Sequence, residues 1–224
     1  MAALAQKAPD LELTYFNGRG LAETTRILLA MADQPFADNR FPLKVIDFST
    51  FTFEKKEFEQ AKQEGKLRKS VGKVPFLKTA NTVIPQSKAI ERYVARRFGY
   101  MGSTEEEGAL IDAFCEHIRD IKTAYQEPRK IKDPDSKKEA MDLFFTKTLP
   151  ERLLAIQDSL ESSQYVVGEK ISLADITLYG LVHFFDNREG ILAALPEQLK
   201  AQYKAIEGHP KIKAWVATRP NTPF

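Results

Sequence analysis

The chain has 224 residues, 43% of them hydrophobic and 29% charged, which suffices for one large core or two modest ones. Thirty-three basic side chains against thirty-one acidic ones leave a formal charge of +2, spread along the sequence, so neither a nucleic-acid nor a membrane partner is expected. Cys115 is the only cysteine, which excludes an internal disulfide and suits a reducing compartment, while His117, His183 and His209 show no paired spacing, so no metal is expected.

No apolar run approaches the roughly 20 residues that span a bilayer. The start, MAALAQKAPD, carries neither a signal-peptide core nor an arginine-rich amphipathic pattern, so residues 1–9 read as a flexible tail and the location as cytoplasmic.

Leu11, Leu13 and Tyr15 alternate with Glu12, Thr14 and Phe16 at the period of a strand, and Asn17-Gly18-Arg19-Gly20 supplies a turn. From Leu21 to Ala32 the spacing of Leu21, Ile27, Leu28 and Met31 predicts a helix, which Pro35 ends. Residues 54–64 are charged around Phe58; Lys73 to Leu77 and Thr82 to Ile84 then read as a strand pair turning at Ala80-Asn81, and Ser87 opens a helix to Phe98. Gly99 and Gly102 punctuate the next stretch, after which strand signals give way to long helical ones. Leu110, Ile111, Phe114, Ile118, Ile121 and Tyr125 follow the i, i+3, i+4, i+7 rule, and further helices are expected at 136–162, 172–187 and about 210–217. Ser172 and Asp175 have the spacing of a capping box with Ile171 and Ile176 as a staple, which gives both polar residues a folding role. The organisation expected is a tail at 1–9, an α/β domain at 10–98, a linker at 99–104 and an all-helical domain at 105–224.

Five stretches, LTYFNGRGLAE, GKVPFL with PQSKAIERYVA, ALIDAFCEHIRD, YVVGEKISLADITLY and HPKIKAWVATRPNTPF, resemble the cytosolic glutathione S-transferases in sequence and in order. They span nearly the whole chain, and the Tyr-Phe-Asn start resembles the sigma and alpha branches. The resemblance implies a thioredoxin-like domain that binds glutathione as co-substrate, a helical domain lining an apolar pocket, and a homodimer acting in detoxification.

On that resemblance Tyr15 is the hydroxyl that stabilises the glutathione thiolate, although its spacing alone equally describes a strand tyrosine with a wet hydroxyl. Pro75 takes the cis form and Val74 offers its backbone to the cysteinyl residue, in the manner of an added strand. Gln86 and Ser87 open a helix whose free N–H groups favour the γ-glutamyl carboxylate; Ser87 also reads as a plain N-cap. Lys62 and Lys73 match basic contacts to the glycyl carboxylate, though most lysines are simply solvated. Asp112 matches the residue that reaches the partner subunit's glutathione, and Phe16, Cys115 and Arg119 are candidates for lining the electrophile pocket, with Cys115 expected to be a half-buried, unreactive thiol.

Two positions depart from the pattern. Leu21 stands where many sigma and alpha members carry a second arginine near the thiolate, and Val71 stands where an aromatic key locks many alpha-like dimers. The same residues equally serve a glutathione-dependent isomerase. A ligandin- or crystallin-like binding protein is the alternative of another class, and retained Tyr15, Gln86, Ser87 and Asp112 argue against it.

Overall fold

The computed structural model describes residues 10–47, 52–185 and 187–222; the tail expected at 1–9 lies outside them. The chain divides into two compact units, Met1–Val94 with Trp215–Phe224, and Ala95–Ala214. This differs from the expected division at 99–104 in two ways. The helix opened by Ser87 runs across the boundary without a break, and the chain returns to the first unit at Trp215.

In the first unit β1 (Glu12–Phe16), α1 (Glu23–Met31), β2 (Ala37–Phe41), β3 (Lys44–Asp47), β4 (Thr52–Glu54), α2 (Lys56–Gln63), β5 (Phe76–Lys78), β6 (Val83–Pro85) and α3 (Ser87–Arg97) follow in order. Four strands form a mixed sheet in the order β2-β1-β5-β6, with β1 parallel to β2 and antiparallel to β5, and β5 antiparallel to β6. Strands β3 and β4 make a separate antiparallel pair. The period-2 pattern works as read: Leu11, Leu13 and Leu77 are fully buried. Helices α1 and α3 add Ile27, Leu28, Leu29, Ile90 and Val94 to the core at the 3.6-residue spacing of amphipathic helices. Strand β2 (ADNRF) escaped the pattern because it has no fully buried side chain and only one large apolar residue.

In the second unit α4 (Glu105–Arg129), α5 (Pro134–Leu143), α6 (Leu149–Asp158), α7 (Leu173–Val182), α8 (Arg188–Ala194), α9 (Glu197–Gly208) and most of α10 (Pro210–Thr218) follow. Ile111, Phe114, Ile118 and Ile121 of α4 are buried as their spacing predicted, and α4 packs on α7, which is apolar on nearly every side and buried through most of its length. The Ser172–Asp175 capping box is formed: Asp175 accepts from the Ser172 backbone at 2.8 Å, while the Ser172 hydroxyl oxygen accepts from Ala174. The helix expected over 136–162 is α5 and α6 joined by one π-helical turn at Phe144–Thr148; a shift of register inside a helix leaves the apolar spacing nearly intact, so the sequence reads as continuous. Helices α8 and α9 were not expected, and the helix expected to reach residue 187 ends at Val182.

Candidate active site

The register of the first sheet brings three of the expected site residues to one end. Phe76 stands opposite Thr14 of β1 and opposite Pro85 of β6. One step further along the same strands lie Tyr15, Pro75 and Gln86, so three segments distant in sequence deliver neighbouring residues.

Tyr15 ends the strand half-buried, and its ring points into the turn that follows. A β-carbon built on Gly20 would sit 2.7 Å from the Tyr15 hydroxyl oxygen and 2.9 Å from Cε1, and Gly20 has φ +38°. Only glycine leaves room for the phenol against this backbone. Burial pushes the Tyr15 phenol above its ordinary value; the Leu21 backbone N–H and the charge of Arg26 pull the other way. The net rise keeps the group protonated near neutral pH, the state that donates a hydrogen bond.

Behind the turn lies Arg26, which the sequence reading missed. Its side chain is fully buried: Nη1 donates to the carbonyl of Gly18 at 2.6 Å and that of Arg19 at 3.4 Å, and Nε pairs with Asp38 at 3.1 Å. Glu23 on α1 faces Nη1 at 3.4 Å. Nη2 has no hydrogen-bond partner among the described residues. Burial lowers the Arg26 pKa from its ordinary value and Arg40 adds to this, while Asp38 and Glu23 oppose. Arg40 in turn holds Asp38 at 2.6 Å and reaches Asn17 at 3.4 Å. Glu23 also accepts from Trp215 Nε1 at 2.9 Å and from Arg219 Nη1 at 2.7 Å, which is why the end of the chain belongs to the first unit.

The Val74–Pro75 peptide is cis, as the resemblance implied. Val74 is half-buried against Phe58, Ala61 and Leu67, together with Phe16, Phe41 and Phe76. It has no backbone hydrogen bond among the described residues. Lys62 lays its aliphatic stem along Gly72, whose β-carbon would meet Lys62 Cε at 3.3 Å; the exposed ammonium groups of Lys62 and Lys73 thus belong to neighbouring backbone. Gln86 precedes α3 with φ +72°, an uncommon left-handed conformation for a residue other than glycine, and its carbonyl accepts the first helical bond from Ile90 at 3.0 Å. Ser87 follows, half-buried, as the first residue of the helix.

The remaining expected residues distribute differently. Phe16 packs 5.1 Å from the Phe58 ring, edge to face with Tyr15 at 5.5 Å, and belongs to the apolar cluster around Val74. Cys115 is a core residue, 2% exposed, with its sulfur 3.4 Å from the Thr177 hydroxyl. It was expected half-buried and facing a pocket; its position on the face of α4 turned to α7 leaves it no surface to offer. Arg119 is exposed and pairs with Glu116. Asp112 lies on α4 with its carboxylate 3.6 Å from Arg96 of α3. Leu21 is 54% exposed, and Val71, 78% exposed, has φ +56°. Among the described residues no helix is long and apolar enough to cross a membrane and no cluster of ligands suits a metal.

Residues 11–96 match the family model of the glutathione S-transferase N-terminal domain, and residues 119–219 match that of the glutathione S-transferase C-terminal domain. The hematopoietic prostaglandin D synthase of Gallus gallus is 32% identical over 216 residues, 96% of this chain and 98% of that protein. Glutathione S-transferase 3 of Caenorhabditis elegans is 32% identical over 220 residues, 95% of this chain and 98% of the relative. A monomeric glutathione S-transferase of the hookworm Necator americanus has a solved structure with TM-score 0.78 at 27% identity, covering 96% of this chain and 99% of that one.

Proposed function

The chain belongs to the glutathione S-transferase family, and from that premise we propose that Tyr15 activates the thiol of glutathione for attack on small apolar electrophiles. The observation that carries this reading is the Tyr15 hydroxyl, protonated and lodged against Gly20 at the end of the sheet, in the same row as Pro75 and Gln86.

A free thiol titrates near pH 8.5, so little of it is thiolate at neutrality. A hydrogen bond to a charged group contributes roughly 1.5 to 3 kcal/mol, and one pKa unit equals about 1.36 kcal/mol, so one phenolic O–H lowers the thiol pKa by about one to two units. The thiol proton leaves to solvent, Tyr15 donates its hydrogen bond to the resulting sulfur anion, and the sulfur lone pair forms the bond to the electrophile as the leaving group departs. Val74 supplies backbone for the cysteinyl residue, Gln86 and Ser87 receive the γ-glutamyl end, and Lys62 and Lys73 receive the glycyl carboxylate. The working unit is a cytoplasmic homodimer, with Asp112 reaching the neighbouring glutathione and the reaction serving detoxification.

The test is Tyr15→Phe assayed with glutathione and a chloronitrobenzene from pH 6 to 8. Turnover falls roughly tenfold to a hundredfold, from the size of a charged hydrogen bond, while glutathione affinity persists. A wild-type rate for the Phe variant across that range removes Tyr15 from the mechanism.

A glutathione-dependent isomerase begins from the same thiolate, and the similarity to a protein named as a prostaglandin D synthase favours that as the second reading. Product analysis separates the two: conjugation leaves the sulfur bonded to product, whereas isomerisation returns free glutathione.

A further inference from the structure

The charged groups behind Tyr15 have no role in the reaction as proposed, yet they include Arg26, the most deeply buried ion among the described residues of the first unit. Arg26 is 0% exposed and keeps one guanidinium nitrogen without a hydrogen-bond partner among the described residues. Burying a cation costs several kcal/mol unless its partners compensate, and an unsatisfied buried donor in a native structure calls for a physical reason.

The groups that face it are the carboxylates of Glu23 on α1 and Asp38 on β2, the guanidiniums of Arg40 on β2 and, through Glu23, Arg219, and the phenol of Tyr15 on β1. Three guanidiniums meet two carboxylates, so the network keeps a surplus of positive charge. That surplus lies beside the Gly18–Gly20 turn, whose carbonyls Arg26 holds. The second arginine that the family resemblance implied in this turn is absent, and exposed Leu21 takes its place.

We propose that Arg26 is the positioning cation of this site: it pins the turn that seats the Tyr15 hydroxyl and supplies, from beneath, the positive field that Leu21 does not. Glu23 tunes that field, and the C-terminal Trp215 and Arg219 hold Glu23 in place. Arg26 touches neither substrate nor the reacting sulfur; it acts through Tyr15 and through space, where low polarisability makes a charge count for more than in water. The inference rests on the reading of Tyr15 as thiol activator.

The experiment titrates the ultraviolet absorbance of the bound glutathione thiolate in the full-length protein. Six proteins are compared: wild type, Tyr15→Phe, Arg26→Met, Arg26→Lys, Glu23→Gln and Arg219→Gln. Arg26→Met is expected to raise the midpoint by about one pH unit, a tenfold change in thiolate fraction below it, and Arg26→Lys to recover part of the loss. The two peripheral variants carry opposite signs. Glu23→Gln removes a negative charge and lowers the midpoint; Arg219→Gln removes a positive one and raises it.

Simple loosening of the turn moves both in the same direction, and that result, or no movement in either, overturns the proposal. These two variants decide the matter even if Arg26→Met does not fold, since both side chains lie at the edge of the network, 14% and 13% exposed. A Tyr15→Phe protein that titrates like wild type overturns the Tyr15 reading and this inference with it. A shifted Tyr15→Phe midpoint with unshifted charge variants overturns this inference alone.

Discussion

The hydroxyl oxygen of Tyr15 lies 2.7 Å from the point that a β-carbon on Gly20 would occupy. Gly20→Ala therefore drives a methyl group into the phenol, which must swing away from the sheet end. We expect turnover to fall about tenfold with glutathione affinity nearly unchanged, a milder copy of Tyr15→Phe. The left-handed φ of +38° adds a stability loss of about 1 kcal/mol, or roughly 2–4 °C in Tm. Steady-state kinetics and a thermal melt on one preparation check both; a full rate in a stable variant means that the hydroxyl position is not critical.

Asp175 offers a test far from the chemistry. Burial pushes its carboxyl above the usual range, and donors from Val166, the Ser172 backbone and the Ser172 hydroxyl pull it back. These donors sit 2.8 to 2.9 Å from the two oxygens. Asp175→Asn turns one acceptor into a donor aimed at other donors, so about 1–3 kcal/mol of stability is lost. The melting temperature drops while the kinetic constants at 25 °C stay put; a Tm unchanged within error would contradict the hydrogen-bond geometry.

His209, which closes α9, carries a pH dependence whose sign can be worked out. Burial lowers its pKa from the ordinary 6.5, Lys211 adding like-charge repulsion, and its Nδ1 accepts from the Lys211 backbone at 3.3 Å. The folded state thus prefers neutral imidazole. The associated stability is present above pH 6.5 and is lost as pH falls through the depressed folded value. His209→Asn should flatten the stability profile between pH 6.5 and the acid limb set by carboxylates, as read by denaturant midpoints; an unchanged slope assigns that dependence elsewhere.

The proposed homodimer is tested through Asp112, whose carboxylate already lies 3.6 Å from Arg96 of its own chain. A composite site predicts that Asp112→Asn weakens glutathione binding by about 1–2 kcal/mol with less effect at saturation. In a heterodimer of Tyr15→Phe and Asp112→Asn chains one site inherits both defects and the other neither, so activity at low glutathione approaches half that of wild type. Activity no better than the average of the two mutant homodimers assigns Asp112 to its own subunit. The hookworm relative described as monomeric makes sedimentation of the wild type the necessary first measurement.

What was legible in the sequence follows from where short-range order and tertiary structure agree. Leu11, Leu13 and Tyr15 declare β1 because they share one face, buried at Leu11 and Leu13 and half-buried at Tyr15, and α4 declares itself through six apolar residues at helical spacing. Helix α9 was not read: Leu199, Tyr203 and Ile206 are buried at helical spacing, but the charged residues between and around them masked the period. Arg26 was not legible: a lone arginine on a helix reads as solvated, and its burial depends on Asp38 and the Gly18 carbonyl, which reach it only after β2 has paired with β1. The core position of Cys115 likewise waits on Thr177, 62 residues later.

The hydrogen bond from Trp215 to Glu23 closes over 192 positions, and this has a consequence for how the protein is made. Synthesis runs from the N-terminus at about 5–20 residues per second, so roughly ten to forty seconds separate the appearance of Glu23 from that of its clamp. For that interval the nascent sheet holds Tyr15, Pro75 and Gln86 while Glu23 has only Arg26 to answer. A ribosome that stalls in α9 therefore leaves a chain with the row of Tyr15, Pro75 and Gln86 present and the C-terminal hold on Glu23 missing, a species to look for among degradation intermediates.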